Sequence, residues 1–302
     1  MYTSYFGFTA KPFQLSPATE FFFTSKGHKR ALSYLHYGVS QGEGFIVITG
    51  EVGTGKTTLM RNLWTTADYD NLITAQLVTT RLEADDLLRM ICSAFGLPAE
   101  NKPKAVLLQQ FQEFLHSVHR ANKRVLLLVD EAQNLSAGAI EELRMLSNFQ
   151  INDTPLMQSF LLGQPELRAI IQNPNMEQFR QRIIAACHLQ PLHEEEVKAY
   201  ILWRLKVAGW KQNPEFNDDA FKEIYRQTKG VPRKINVFCD RLLLLCFLEE
   251  QKLVDVDTVT TVAEELADEF SPSQARVHQL PPFSRPPTGK VRTRCSRLLR
   301  AI

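Results

Sequence analysis

The sequence predicts a parallel α/β sheet followed by a small all-helical domain, and three observations predict it. Apolar strand-like runs alternate with helical patterns up to residue 190, no strand pattern follows Pro191, and a glycine-rich strand-to-helix turn occupies residues 50–57. The turn reads Gly50-Glu51-Val52-Gly53-Thr54-Gly55-Lys56-Thr57 and fits G-x-x-x-x-G-K-[ST], entered from the buried-type run at 45–49. Gly50, Gly53 and Gly55 can take backbone angles that a Cβ would forbid, so successive N–H groups can turn inward around phosphate oxygens. A helix beginning near Gly55 and continuing through Thr58 points its positive end at the same oxygens. Lys56 suits the β- and γ-phosphates, and the Thr57 hydroxyl suits a magnesium ion. These residues predict a phosphate-binding loop.

A chain of 302 residues can bury a sizeable core and is expected to carry two domains. Its composition is that of an ordinary soluble protein, and no apolar run approaches the ~20 residues of a membrane span. The amino terminus shows no export signal. Cys92, Cys187, Cys239, Cys246 and Cys295 lack C-x-x-C spacing and read as reduced thiols, four of them buried. A cytoplasmic protein is expected. The net charge of +2 hides an asymmetry, because residues 271–302 hold seven Lys or Arg and no acid. The remaining chain has 28 basic against 33 acidic residues, so nucleic-acid contact is expected only from the tail and is not favoured.

Taken in order, residues 1–26 are aromatic and broken by Pro12 and Pro17. They predict a strap packed on the core, with a partner-binding or base-covering face as the alternative. Residues 29–39 carry helical spacing, ending near Gly42 and Gly44. A helix at 57–64 succeeds the loop, then a second strand at 72–78 and amphipathic helices at 85–92 and 104–120. His116 and His119 share one face of the latter and read as solvated, since no further ligand is near in sequence.

Five aliphatics at 125–129 predict a central strand buried on both faces. It ends in Asp130 and Glu131, at the edge where open α/β sheets bind ligands. Asp130 suits magnesium, directly or through water, and Glu131 suits polarising a water against the γ-phosphate. A helix at 136–149, N-capped by Ser136, precedes a fourth strand at 159–164 that carries Gln164 at its end. Residues 183–189 form the fifth strand, with His188 as a packed strand histidine. Helices at 194–207, 218–228, 232–249 and 256–270 complete the expected order. The boundaries expected are a strap at 1–26, an α/β domain at 27–190, a helical lid at 191–270 and a disordered basic tail at 271–302.

The segments GEVGTGKTT, LLLVDEAQNL, EELRMLSNF, FLLGQPELR, EQFRQRI and GVPRKIN resemble the bacterial AAA+ ATPases of the ExeA (general secretion pathway protein A) type. The opening, YFGFTAKPFQLSP and then GHKRALSYLHYGVSQGEGFIVITGEVG, is most similar to the subgroup found with exosortase and exopolysaccharide (PEP-CTERM) systems. The resemblance spans roughly residues 1–268. It implies a P-loop AAA+ fold with a five-stranded parallel sheet and a helical lid. It places the Walker A residues at 50–57, the Walker B pair at Asp130 and Glu131, and sensor 1 at Gln164, where Asn or Thr is more usual. It also implies an arginine finger at Arg182, with Arg180 as second choice, and sensor 2 at Arg233.

The implied activity is hydrolysis of ATP with Mg2+ by a homo-oligomer that drives an envelope secretion or polysaccharide-export machinery through protein contacts. A nucleotide switch with little turnover and a DNA-linked ATPase are the alternatives. Secretion-type members also carry a transmembrane segment and a peptidoglycan-binding region, which this sequence does not show. A cytoplasmic protein, peripheral to the inner membrane, is therefore expected.

Overall fold

The computed structural model describes residues 1–15, 19–66, 71–78 and 83–270. Its centre is a sheet of five parallel strands: β1 (Phe45–Gly50), β2 (Leu72–Val78), β3 (Arg124–Asp130), β4 (Met157–Gly163) and β5 (Ile183–Leu189). Their spatial order is β2-β3-β4-β1-β5. The aliphatic run of β3 explains its place inside the sheet. Val125, Leu127 and Val129 enter the core on one face, and Leu126 and Leu128 enter the core on the other. β1 divides in the same way, with Phe45 and Val47 on the first face and Ile46 and Ile48 on the second.

Helices cover both faces. Lys26–Gln41 starts at Ser25, whose side chain accepts from the His28 N–H, and stops at Gly42 in the left-handed region. It brings Gly38 against Ile46, where a Cβ would stand 2.4 Å from Ile46 Cδ1. On the other face lie Ala84–Ala94, Lys104–Arg120 and Ala137–Leu146, joined by Phe111, Leu88 and Leu143 among others. Ser136 caps Ala137–Leu146 as expected.

That helix ends three residues before the expected boundary of 149. Residues Gln150–Ile151 and Thr154–Pro155 instead pair as a small antiparallel hairpin, turned by Asn152 and Asp153 at φ 47° and 63°. A second correction falls beyond Pro191, where no strand was expected. Glu215–Phe216 and Leu253–Val254 form a two-residue parallel ladder that ties the helical part together.

The helical part consists of Glu194–Val207, Asp218–Thr228, Pro232–Leu248 and Val256–Phe270. Most of the aromatic strap packs here, and Phe22 packs against the cluster on the second face of the sheet. Tyr2, Phe6, Phe8, Phe13 and Phe21 are buried in one cluster with Ile201, Cys239 and Leu242 of these helices. A helical turn at Tyr2–Tyr5 and a 3-10 turn at Thr19–Phe21 interrupt the strap. Cys92, Cys239 and Cys246 are buried free thiols and Cys187 is half-buried. Among the described residues, no helix is long and apolar enough to cross a membrane. The tail at 271–302, with Cys295, lies outside the described residues.

Gly230 joins the second and third of the carboxyl-terminal helices at φ 71°, and a Cβ there would stand 2.0 Å from the backbone oxygen of Leu192. Backbone on both sides leaves no side chain to yield. Gly230→Ala should lower stability by about 2 kcal/mol or more, read as a fall in thermal unfolding midpoint. An unchanged midpoint would contradict this packing.

Candidate functional site

The parallel register brings the tips of β1, β3 and β4 to one edge. Thr49 pairs with Gly163, and Val129 pairs with Leu161, so the residues just beyond each strand emerge side by side. The loop after β1 turns through Gly53 and Gly55 at φ 84° and 95°, then enters the helix Lys56–Thr66. Both glycines are also tightly approached. A Cβ on Gly53 would meet the Cβ of Arg233 at 2.5 Å, and one on Gly55 would meet His28 Nε2 at 3.0 Å.

Lys56 is buried within this loop, its Nζ donating to Gly50 O at 2.8 Å and Glu51 O at 3.0 Å. Burial pushes its ammonium below the usual lysine range, while the nearby carboxylates of Glu131, Asp130 and Glu166 oppose that shift. Thr57 Oγ1 donates to Asp130 Oδ2 at 3.1 Å. Two hard oxygen donors from separate elements therefore stand together, which is the chemistry a magnesium ion shared with phosphate oxygens needs. Asp130 Oδ1 accepts from the Glu131 N–H at 2.9 Å, which fixes the carboxylate.

Glu131 takes a left-handed conformation, φ 54° and ψ 38°, an uncommon backbone for a residue with a Cβ. It swings the side chain off the strand axis toward two amides. Gln133 Nε2 donates to Glu131 Oε2 at 2.7 Å, and Gln164 Nε2 donates to the same oxygen at 3.2 Å. Gln133 also accepts from the Gln164 N–H at 2.9 Å, so it staples the β3 tip to the β4 tip. The hydrogen bond from Gln133 holds the Glu131 carboxyl below the ordinary glutamate range. Burial works against it, and Gln164 and Lys56 reinforce it.

The site continues into a cavity of about 320 Å³ between the loop, the strap and the helical part. Its lining includes Lys56, Thr57, Thr58 and Glu131 together with the apolar Leu15, Phe21, Phe22 and Leu192. Glu51 and Val52 lie exposed at the rim of the loop. Arg233 opens the helix Pro232–Leu248, and its backbone N–H donates to Gly53 O at 3.2 Å. His28 is hydrogen-bonded at both ring nitrogens, to Ser25 Oγ at 2.7 Å and Thr54 O at 3.2 Å. Its burial lowers its pKa, so it stays neutral and Nε2–H faces the Thr54 carbonyl.

Arg180 and Arg182 stand elsewhere. Arg182 O accepts from the Phe45 N–H at the start of β1, so the length of that strand separates it from the loop, about 16 Å. Arg182 Nη1 donates to Ser147 Oγ at 2.8 Å and Nη2 to Asn148 Oδ1, while Arg180 Nη1 donates to Ile171 O and Asn173 O. Neither reaches the loop of its own chain. The strap packs on a core, and its Phe21 and Phe22 also wall the cavity. Gln133, His28 and the cavity face of the helical part were given no role by the sequence alone. Each acquires one only through the partners it meets in the fold.

Residues 39–171 match a family model described as an AAA domain. The structure is similar to the ORC2 protein of Aeropyrum pernix, seen in ADPNP–ADP complexes, with a TM-score of 0.62 at 15% identity over 85% of this chain and 72% of that one. It is likewise similar to Cdc6p of Pyrobaculum aerophilum, with a TM-score of 0.64 at 15% identity over 84% and 70% of the two chains. The chain has the P-loop AAA+ fold. At these identities the likeness concerns the fold alone. In sequence, the chain is 39% identical over 268 residues to general secretion pathway protein A of Aeromonas hydrophila. That match covers 88% of this chain and 49% of the relative, so the chain spans about half the length of the curated protein it matches.

Removing the Gln133 amide takes away the strongest influence that holds Glu131 low. In Gln133→Ala the Glu131 carboxyl should therefore titrate at higher pH than in wild type, monitored by its 13C chemical shift. An unmoved titration would show that Gln133 does not set this carboxylate.

Proposed function

We propose that this chain is an ATPase of the general secretion pathway protein A type that binds ATP with Mg2+ and hydrolyses it to ADP and phosphate. The observation that carries the reading is the meeting of Thr57, Asp130 and Glu131 with Lys56 at one edge of the sheet. The loop N–H groups and Lys56 would hold the phosphates, with Lys56 exchanging its two carbonyl partners for phosphate oxygens. Magnesium, held by Thr57 and reached by Asp130, would neutralise charge on the β- and γ-oxygens. Glu131 is positioned to accept a proton from water as that water attacks the γ-phosphorus and ADP leaves. Gln164 and Gln133 would fix the orientation of that carboxylate. Arg233, beside Gly53, would face the phosphates from the lid.

Arg182 is assigned as the finger that acts on a neighbouring subunit, with Arg180 second, because neither reaches its own loop. A guanidinium supplied from a second copy would complete the site only in a homo-oligomer. The relationship to general secretion pathway protein A favours a partner in envelope secretion or polysaccharide export. On this reading the protein works on the cytoplasmic side, peripheral to the inner membrane. The subgroup linked to exosortase systems rests on the opening segment alone.

One observation favours a second reading. The Glu131 carboxylate is already committed to two amides, which restrains it as a base, and a switch that binds ATP and turns over slowly would use that restraint. Glu131→Gln separates the two. The ATPase reading expects retained ATP binding and a fall of about a hundredfold or more in phosphate release, whereas a switch expects equal, low rates.

Mixing tests the subunit assignment. Glu131→Gln keeps its finger and Arg182→Ala keeps its active site. A mixture should recover activity that neither shows alone, and specific activity of wild type should rise with concentration. Additive rates in the mixture, with constant specific activity, would contradict a shared site.

A further inference from the structure

We propose that Asn236 reads the base of the bound nucleotide through its side-chain N–H, aimed into the cavity by a hydrogen-bond relay that runs from Arg204 through Tyr200. The inference rests on the ATP reading above and deepens it, by naming the group that contacts the base.

The relay is ordered by chemistry. Arg204 is a buried cation that can only donate. Its Nε donates to Pro12 O at 2.6 Å and its Nη2 to Gln14 O at 3.3 Å, both on the strap. Its guanidinium also lies over the Phe21 ring, 5.1 Å from the centroid. The remaining Nη1 donates to the Tyr200 hydroxyl at 3.0 Å, which occupies that oxygen as an acceptor. Burial raises the Tyr200 pKa, so the phenol keeps its proton. That proton goes to Asn236 Oδ1, 2.7 Å away. With Oδ1 held by Tyr200, the amide Nδ2 is turned the other way.

Where Nδ2 goes decides the role. Asn236 is 8% exposed and lines the cavity together with Tyr200 and Arg204. It sits one helical turn after Arg233, on the same face of Pro232–Leu248, so the helix that brings Arg233 to the loop brings Asn236 to the cavity. Among the described residues nothing accepts from Nδ2. A nearly buried amide with its oxygen satisfied and its N–H group free to be met from a ligand cavity is a held donor, which a ligand acceptor can take over from water. The lining also includes Leu15, Phe22 and Leu192, apolar side chains that suit the face of a heterocycle. An adenine ring offers three in-plane nitrogen acceptors, and Asn236 would address one of them.

The experiment is calorimetric titration with Mg–ATP and with 1-deaza-, 3-deaza- and 7-deaza-ATP, each lacking one ring acceptor. Wild type should bind one of the three about three- to tenfold more weakly than ATP, and the other two as ATP. Asn236→Asp keeps the acceptor for Tyr200 and replaces the donor with a carboxylate oxygen. It should bind ATP more weakly by at least that factor and no longer distinguish the three analogues. Tyr200→Phe frees the amide to rotate and should shrink the discrimination without abolishing ATP binding. Thermal unfolding of both variants separates these effects from loss of the fold. Equal binding of all three analogues by wild type, or a selective loss that survives in Asn236→Asp, would overturn the inference while leaving the ATP reading intact. Wild type with no affinity for ATP would overturn that reading instead.

Discussion

Parallel strands impose the one constraint on which the rest of the molecule depends. All five carboxyl ends must face the same edge, so whatever chemistry lies just past each strand is gathered there without any long-range design of loops. Register then fixes which side chains meet. With Thr49 opposite Gly163 and Leu128 opposite Phe160, the tips of β1, β3 and β4 end within one layer. The hydrogen bond from Thr57 to Asp130 spans 73 positions of chain, yet it needs only this register and one glycine-rich turn. The same constraint sends Arg182 to the far edge, because it precedes a strand whereas Asp130 ends one.

The helical part and the strap supply what the sheet edge lacks, which is a roof. Arg233 N–H to Gly53 O, and Arg204 to Pro12 O and Gln14 O, tie the helical part to the loop and to the strap. A buried arginine is costly unless its donors are met, and here backbone carbonyls and aromatic faces meet them. The cavity is thus shaped by three segments distant in sequence.

Much of this was legible because single positions carried strong signals. The aliphatic run at 125–129 suits a strand buried on both faces, and the glycine spacing at 50–57 suits a tight turn into a helix. The hairpin after Leu146 has a turn signal in Asn152-Asp153, but its strands are two residues long and too short to show any alternation. Gln133, His28 and Asn236 were illegible for a different reason. Their side chains are ordinary polar residues on helices or loops, and only the partners they meet, Gln164, Thr54 and Tyr200, give them work. The destination of the aromatic strap was likewise open, because aromatic content marks burial without saying in which core.

Every role given to the sheet edge requires that the loop ammonium of Lys56 be available to phosphate oxygens where Thr57 and Asp130 meet. Titration of Mg–ATP against wild type and Lys56→Ala measures that directly. The structure predicts binding by wild type that weakens by about ten- to a hundredfold in the variant, the loss expected for a charged hydrogen bond. Equal affinity in the two proteins would contradict it.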